Sequence, residues 1–247
     1  MKSQSPFRCN WKTDGTITGS NLCIAVAAIS LDHHQISLTI QEVDQLSRQS
    51  INWFDRNATY KFSEEASKAS DILVGFCLSS PLILFSDRKI REDWAAYSLM
   101  YVETIGLALS VPSIGKGSIK RIRPYAYNPV VPIEMKTNSD ARRSFFSRHA
   151  TLAFSSAVFV SAVYSSYYPN SEWNFYIWSG SLLTASVTSY LRYEAGEHFP
   201  SDLVMGAAVG SAIGYLIPFM HKDEYEKFTL RVVPGMMGKE VYFRYNF

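Results

Sequence analysis

Five stretches of the chain, 72–85, 94–111, 150–168, 175–191 and 203–220, are apolar nearly throughout. Glu103 is the one charged residue inside them, and Arg192 falls just beyond the fourth. None shows a polar face at the helical period, so each reads as a helix buried on all sides, in the middle of a large bundle or in a bilayer. A bilayer span takes ~20 apolar residues, and three or four of the runs are at or near that length. Gly206, Gly210 and Gly214 recur every fourth residue in the last run, a small-residue stripe that lets another helix come close. The expected fold is all-α: a bundle of five to six mostly apolar, membrane-spanning helices.

The runs also set the organisation. Residues 1–69 form an N-terminal segment of short or interfacial helices, with 21–31 as one short apolar helix; 70–220 form the helical core; 221–247 form a tail. In that tail polar and apolar residues alternate around Pro234-Gly235, the pattern of a short β-hairpin. A net charge of +2 without a Lys/Arg stripe interleaved with aromatics argues against a nucleic-acid partner. Cys9, Cys23 and Cys77 have neither the count nor the spacing of a disulfide framework or a zinc site.

Short links make successive long helices antiparallel neighbours, so their ends can be counted. The end of the second run, the start of the third, the end of the fourth and the start of the fifth fall at one end of the bundle. Every candidate catalytic group falls in those ends. Lys116, Lys120, Arg121 and Arg123 follow the second run; Ser147, Arg148 and His149 precede the third; Arg192, His198 and Asp202 lie between the fourth and fifth. Gathered guanidinium and ammonium groups suit a tetrahedral polyanion, and two helix N-termini add free N–H groups and partial positive charge. Ser147 is placed to cap the third helix, and Pro200 suits the first turn of the fifth. Asp202, four residues after His198, can hold one ring nitrogen so that the other presents its lone pair to phosphorus. His149 is then the group to protonate a departing alkoxide and later to activate water. Lys116, Arg123 and Arg192 would bear on the transition-state charge.

At these residues the chain resembles a known family. Lys116 with six residues before Arg123-Pro124, Ser147-Arg148-His149, and Arg192-x5-His198-x3-Asp202 are similar, in order and approximate separation, to the three motifs K-x6-R-P, P-S-G-H and S-R-x5-H-x3-D of the type 2 phosphatidic acid phosphatase superfamily. The resemblance covers about residues 70–220. It implies His198 as nucleophile, Asp202 as its orienting partner and His149 as general acid. Lys116, Arg123, Ser147, Arg148 and Arg192 would bind phosphate, with no metal and no cofactor. It further implies a phosphatase acting on a phosphomonoester or pyrophosphate, with a lipid phosphate or a small phosphate ester as substrate. The site would face the extracytoplasmic (periplasmic) side of the membrane. A soluble periplasmic acid phosphatase is the alternative. Phe146 stands in place of the family proline, Leu191 in place of the serine and Arg148 in place of the glycine. The last change either adds a phosphate donor or obstructs the pocket, which would leave a catalytically impaired member that binds a lipid headgroup.

Overall fold

The structure is a computed structural model that describes residues 5–32, 36–222, 228–235 and 238–245. Among the described residues are six helices of 20 or more residues, labelled here α1 to α6. They are α1 (Trp11–Asp32), α2 (Glu64–Ile83), α3 (Trp94–Ile119), α4 (Arg148–Tyr167), α5 (Trp173–Glu194) and α6 (Pro200–His221). All but α5 are long and apolar enough to cross a membrane.

Several boundaries differ from expectation. The first helix has 22 residues rather than 11, since polar Thr16, Thr18, Ser20 and Asn21 interrupt its apolar pattern without breaking the helix. α3 runs on past Val111 to Ile119, so Lys116 belongs to its last turn rather than to a loop. α5 likewise continues to Glu194 and takes in Arg192. Apolar periodicity stops where a helix meets the polar end of the bundle; the hydrogen-bonded backbone does not.

The C-terminal hairpin expected over 228–247 lies where the side chains are outside those described. The backbone there runs as two antiparallel strands, Phe228–Gly235 and Gly238–Tyr245, so Pro234 and Gly235 belong to the first strand rather than to the turn. The fold that positions the site is the helical one.

α4 is the central helix and packs against α2, α3, α5 and α6. It is rich in Ala and Ser, with Ala150, Ala153, Ser155, Ala157 and Ser161 all buried, so its neighbours come close. The closest approach is to the glycine stripe of α6. A Cβ on Gly206, Gly210 or Gly214 would stand 2.7, 2.4 or 2.3 Å from the carbonyl oxygens of Ser147, Thr151 and Ser155. Since side chains do not fit at such distances, the stripe brings the start of α4 against the start of α6. Away from that contact an aromatic cluster of Tyr97, Phe159, Phe85 and Tyr101 fills the space between α3 and α4.

Candidate active site

α6 begins with Pro200, whose missing N–H costs nothing at the first helical position. Asp202, in the first turn, accepts the Phe199 N–H at 3.0 Å. The turn from α5 into this helix passes through Gly196, at φ +70°, where a Cβ would fall 2.3 Å from the carbonyl oxygen of Lys61. Glycine is required there on both counts, and the turn buries His198 to 1% exposure.

The His198 Nδ1 lies 2.7 Å from the carbonyl oxygen of Ser144. A carbonyl can only accept, so Nδ1 carries the proton and Nε2 the lone pair. Asp202, the partner expected from spacing, has its Oδ2 3.8 Å from Nδ1, beyond hydrogen-bond range. Its carboxylate is spent elsewhere: it accepts from the Ser144 hydroxyl and from Arg121 Nη1, both at 2.5 Å. Arg121 reaches Asp55 Oδ2 at 2.8 Å and lies 4.1 Å over the Phe199 ring. Asp55 in turn accepts from the Ser201 N–H at 3.0 Å and its hydroxyl at 2.7 Å. The N-terminal segment therefore braces the start of α6.

Three cations surround this histidine, each buried to 6% exposure or less. Lys116 donates to the Arg143 carbonyl. Arg123 donates through Nε to the Asp140 carbonyl at 2.9 Å, pairs with the Asp140 carboxylate at 2.8 Å, and meets Glu197 through Nη1. Arg192 Nη1 donates to the Ser67 and Ser70 hydroxyls, both at 3.2 Å, and its Nη2 lies 3.4 Å from Glu197. The Nε of Arg192 is buried without a hydrogen-bond partner. His149 Nε2 lies 2.8 Å from Asp71 Oδ1, and Asp71 also stands 3.4 Å from Arg192, so one carboxylate joins the second histidine to the cationic group.

The electrostatics agree with this geometry. Burial, and after it the charges of Lys116, Arg123, Arg192 and His149, hold His198 well below the ordinary histidine range, so the ring is neutral at neutral pH. Burial pushes the Asp140 carboxyl up, but Arg123, Lys116 and Arg143 outweigh it and keep the group ionised.

Of the residues singled out from sequence, His198, Asp202, Lys116, Arg123 and Arg192 gather in this way, and His149 joins through Asp71. Ser147 caps α4 by accepting the Ala150 N–H at 3.3 Å, while its own N–H donates to the Asp202 carbonyl at 3.2 Å. Arg148 opens α4 with its side chain exposed. Sequence reasoning missed Ser144, Asp55, Asp71, Asp140 and Glu197. Counting helix ends places Asp71, Asp140, Ser144 and Glu197 at the same end of the bundle, but no spacing sets them apart from solvated groups there, and Asp55 left no signal.

A neutral imidazole lone pair beside buried cations and an unsatisfied guanidinium N–H is an arrangement that can serve as a nucleophile next to a bound anion. The model of the PAP2 superfamily matches residues 97–226, more than half of the chain. Neither the comparison with curated proteins nor that with solved structures returns a match.

Proposed function

The chain belongs to the PAP2 superfamily, whose members are broadly phosphatases, and from that premise we propose that it hydrolyses a lipid phosphate through a phosphohistidine on His198. The observation that carries this reading is the His198 ring itself: buried, neutral, and holding its Nδ1 proton against Ser144, so that Nε2 is the nucleophilic atom.

In the first step Nε2 attacks phosphorus, the N–P bond forms, and the bond to the leaving oxygen breaks. His149 gives that oxygen a proton, and Asp71 Oδ1, 2.8 Å from its Nε2, orients the ring for the transfer. In the second step water attacks phosphorus, neutral His149 takes its proton, and the N–P bond breaks to release phosphate. Lys116, Arg123 and Arg192 stabilise the equatorial oxygens throughout. Phosphate competes with Glu197 and Asp140 for the two guanidinium groups, and the free Nε–H of Arg192 gains a partner on binding. Ser147, whose oxygen accepts the capping N–H, can still donate its hydroxyl hydrogen.

A lipid substrate is favoured by a cavity of about 370 Å³ between α2, α4 and α5, lined by Cys77, Ser80, Ile83, Ala157, Val160 and Ile177. On α2 its lining begins at Phe76, five residues or about 7.5 Å along the helix from Asp71. A hydrocarbon tail seated there would leave its phosphate at His149 and His198. Burial of the five apolar helices in a bilayer, with the site on the extracytoplasmic face, belongs to the same proposal.

The test is phosphate release from a panel of lipid phosphates and diphosphates in detergent. His198→Gln should abolish release, and radiolabelled phosphate should be trapped on the wild-type chain in an acid-labile, alkali-stable form. Release that survived His198→Gln would end this reading.

A further inference from the structure

At the end of the bundle away from His198, α1, α3 and α6 bring three potential ligands together. Asp14 Oδ1 lies 3.0 Å from His221 Nε2, and Glu103 Oε2 lies 3.3 Å from the same atom. All three atoms fall within 4.8 Å of one another. Glu103 and His221 are each 2% exposed. None of the three atoms has a hydrogen-bond partner, so the ring is not donating to either carboxylate.

We infer that Asp14, Glu103 and His221 form a binding site for one divalent transition-metal ion, best matched by zinc. His221 Nδ1 lies 2.9 Å from the Ile217 carbonyl, which fixes the proton on Nδ1 and turns the Nε2 lone pair towards the carboxylates. Three buried lone-pair donors facing one another repel unless a proton on Nε2 or a metal ion lies among them, and with no hydrogen bond from the ring to either carboxylate the ion is the better fit. Zinc takes His nitrogen and carboxylate oxygen at about 2.0–2.2 Å, and a tetrahedron with such bonds has edges of about 3.3–3.6 Å. The 3.3 Å edge fits this directly, and the 3.0 Å edge opens by a few tenths of an ångström on binding. The supports around the ligands are those of a metal site: a histidine whose other nitrogen is held by a backbone carbonyl, and a carboxylate whose free oxygen accepts from Thr18 at 3.3 Å. The Asp14 side chain is 15% exposed, which gives an ion a way in.

Its role is structural. α6 runs 22 residues from Pro200 to His221, so this site lies about 30 Å from the start of the helix that carries Asp202. Only 11% of the α1 span is buried, and the ion would tie that loosely packed helix to α3 and to the end of α6.

The test uses the full chain in detergent at neutral pH, equilibrated with a small excess of zinc, gel-filtered and measured by plasma mass spectrometry alongside its thermal midpoint. The expected result is one zinc per wild-type chain with a raised midpoint, and loss of both effects in Asp14→Asn and Glu103→Gln while phosphatase activity persists. Asp14→Asn, being partly exposed, is the variant that keeps the fold. No zinc on the wild-type chain, or equal zinc on wild type and both variants, would overturn the inference.

Discussion

The Nδ1 atom of His198 lies 2.7 Å from the carbonyl oxygen of Ser144, and the hydroxyl of that same serine donates to Asp202 at 2.5 Å. One residue thus connects the proposed nucleophile to the acid that sequence spacing assigned to it. Asp202 acts one step back, by fixing the Ser144 peptide and the start of α6.

Asp202→Asn should therefore lower kcat more than it raises KM. The loss of one charge-assisted bond to Ser144 and another to Arg121 amounts to about 1–3 kcal/mol, or roughly 10–100-fold in kcat. Ser144→Ala keeps the carbonyl that holds His198 and should cost less. Steady-state kinetics on both variants decide the matter, since an unchanged kcat in Asp202→Asn would remove the positioning role.

The neutral state of His198 has a signed consequence for pH. Burial and the surrounding cations depress its pKa in the folded chain, whereas the unfolded chain titrates near the ordinary value of about 6.5. Below that value the unfolded state binds a proton that the native state refuses. This contribution is therefore complete above pH ~6.5 and is lost as pH falls beneath it. In 15N-histidine spectra the His198 ring should keep the Nδ1–H tautomer at a pH where an ordinary histidine is already protonated. A ring that titrates at the ordinary value in the substrate-free protein would contradict the buried neutral nucleophile.

Asp55 titrates in the opposite sense. Burial raises its pKa, but bonds from Asn52, Arg121 and Ser201 overcome that and leave it lowered. Its stabilisation is present above the unfolded carboxyl value of about 3.9 and is lost as pH drops through the folded value. Asp55→Asn should cost about 1–3 kcal/mol near neutrality and flatten the acid end of a plot of thermal midpoint against pH. A variant as stable as wild type at pH 7 would show that the N-terminal segment does not brace the site.

Much of this arrangement could be read in the sequence because apolar runs determine helices, and helix order determines which ends meet. Lys116, Arg123, Arg192 and His198 lie next to or within such ends, so counting the runs sufficed to gather them. Gly206, Gly210 and Gly214 were legible for the same reason, since a spacing of four marks one helical face. The acids were not legible. Asp71 reaches His149 across 78 positions and Asp55 reaches Ser201 across 146, and neither stands at a spacing that distinguishes it from a solvated carboxylate. Nor does spacing report hydrogen-bond direction, which is why the i, i+4 pair His198 and Asp202 suggested a contact that Ser144 makes instead.

The glycine stripe yields a prediction with an internal control. Gly210→Ala would place a methyl 2.4 Å from the Thr151 carbonyl, whereas Gly180→Ala meets nothing within 4 Å. The first change should destabilise by about 1–3 kcal/mol or more, as overpacked cores do, and should reduce kcat by parting the starts of α4 and α6. The second should be neutral or slightly stabilising, because alanine is the better helix former by up to about 1 kcal/mol. Thermal unfolding in one detergent compares them, and equal midpoints would mean that the two helices are not held at this separation.

Arg148 occupies the position where the family motif carries glycine, and its surroundings decide how much that matters. It is the first residue of α4, its side chain is exposed, and the backbone N–H at that position is present whichever residue stands there. Glycine in its place removes a positive charge near the anion site and costs up to about 1 kcal/mol of helix stability. Arg148→Gly should therefore raise KM for an anionic lipid phosphate, most clearly at low salt where charge attraction is least screened, and change kcat by no more than about threefold, or ~0.7 kcal/mol. Kinetics at two ionic strengths separate the effects. A gain in kcat of about 100-fold, nearly 3 kcal/mol, would instead identify the arginine as an obstruction and the native chain as an impaired enzyme.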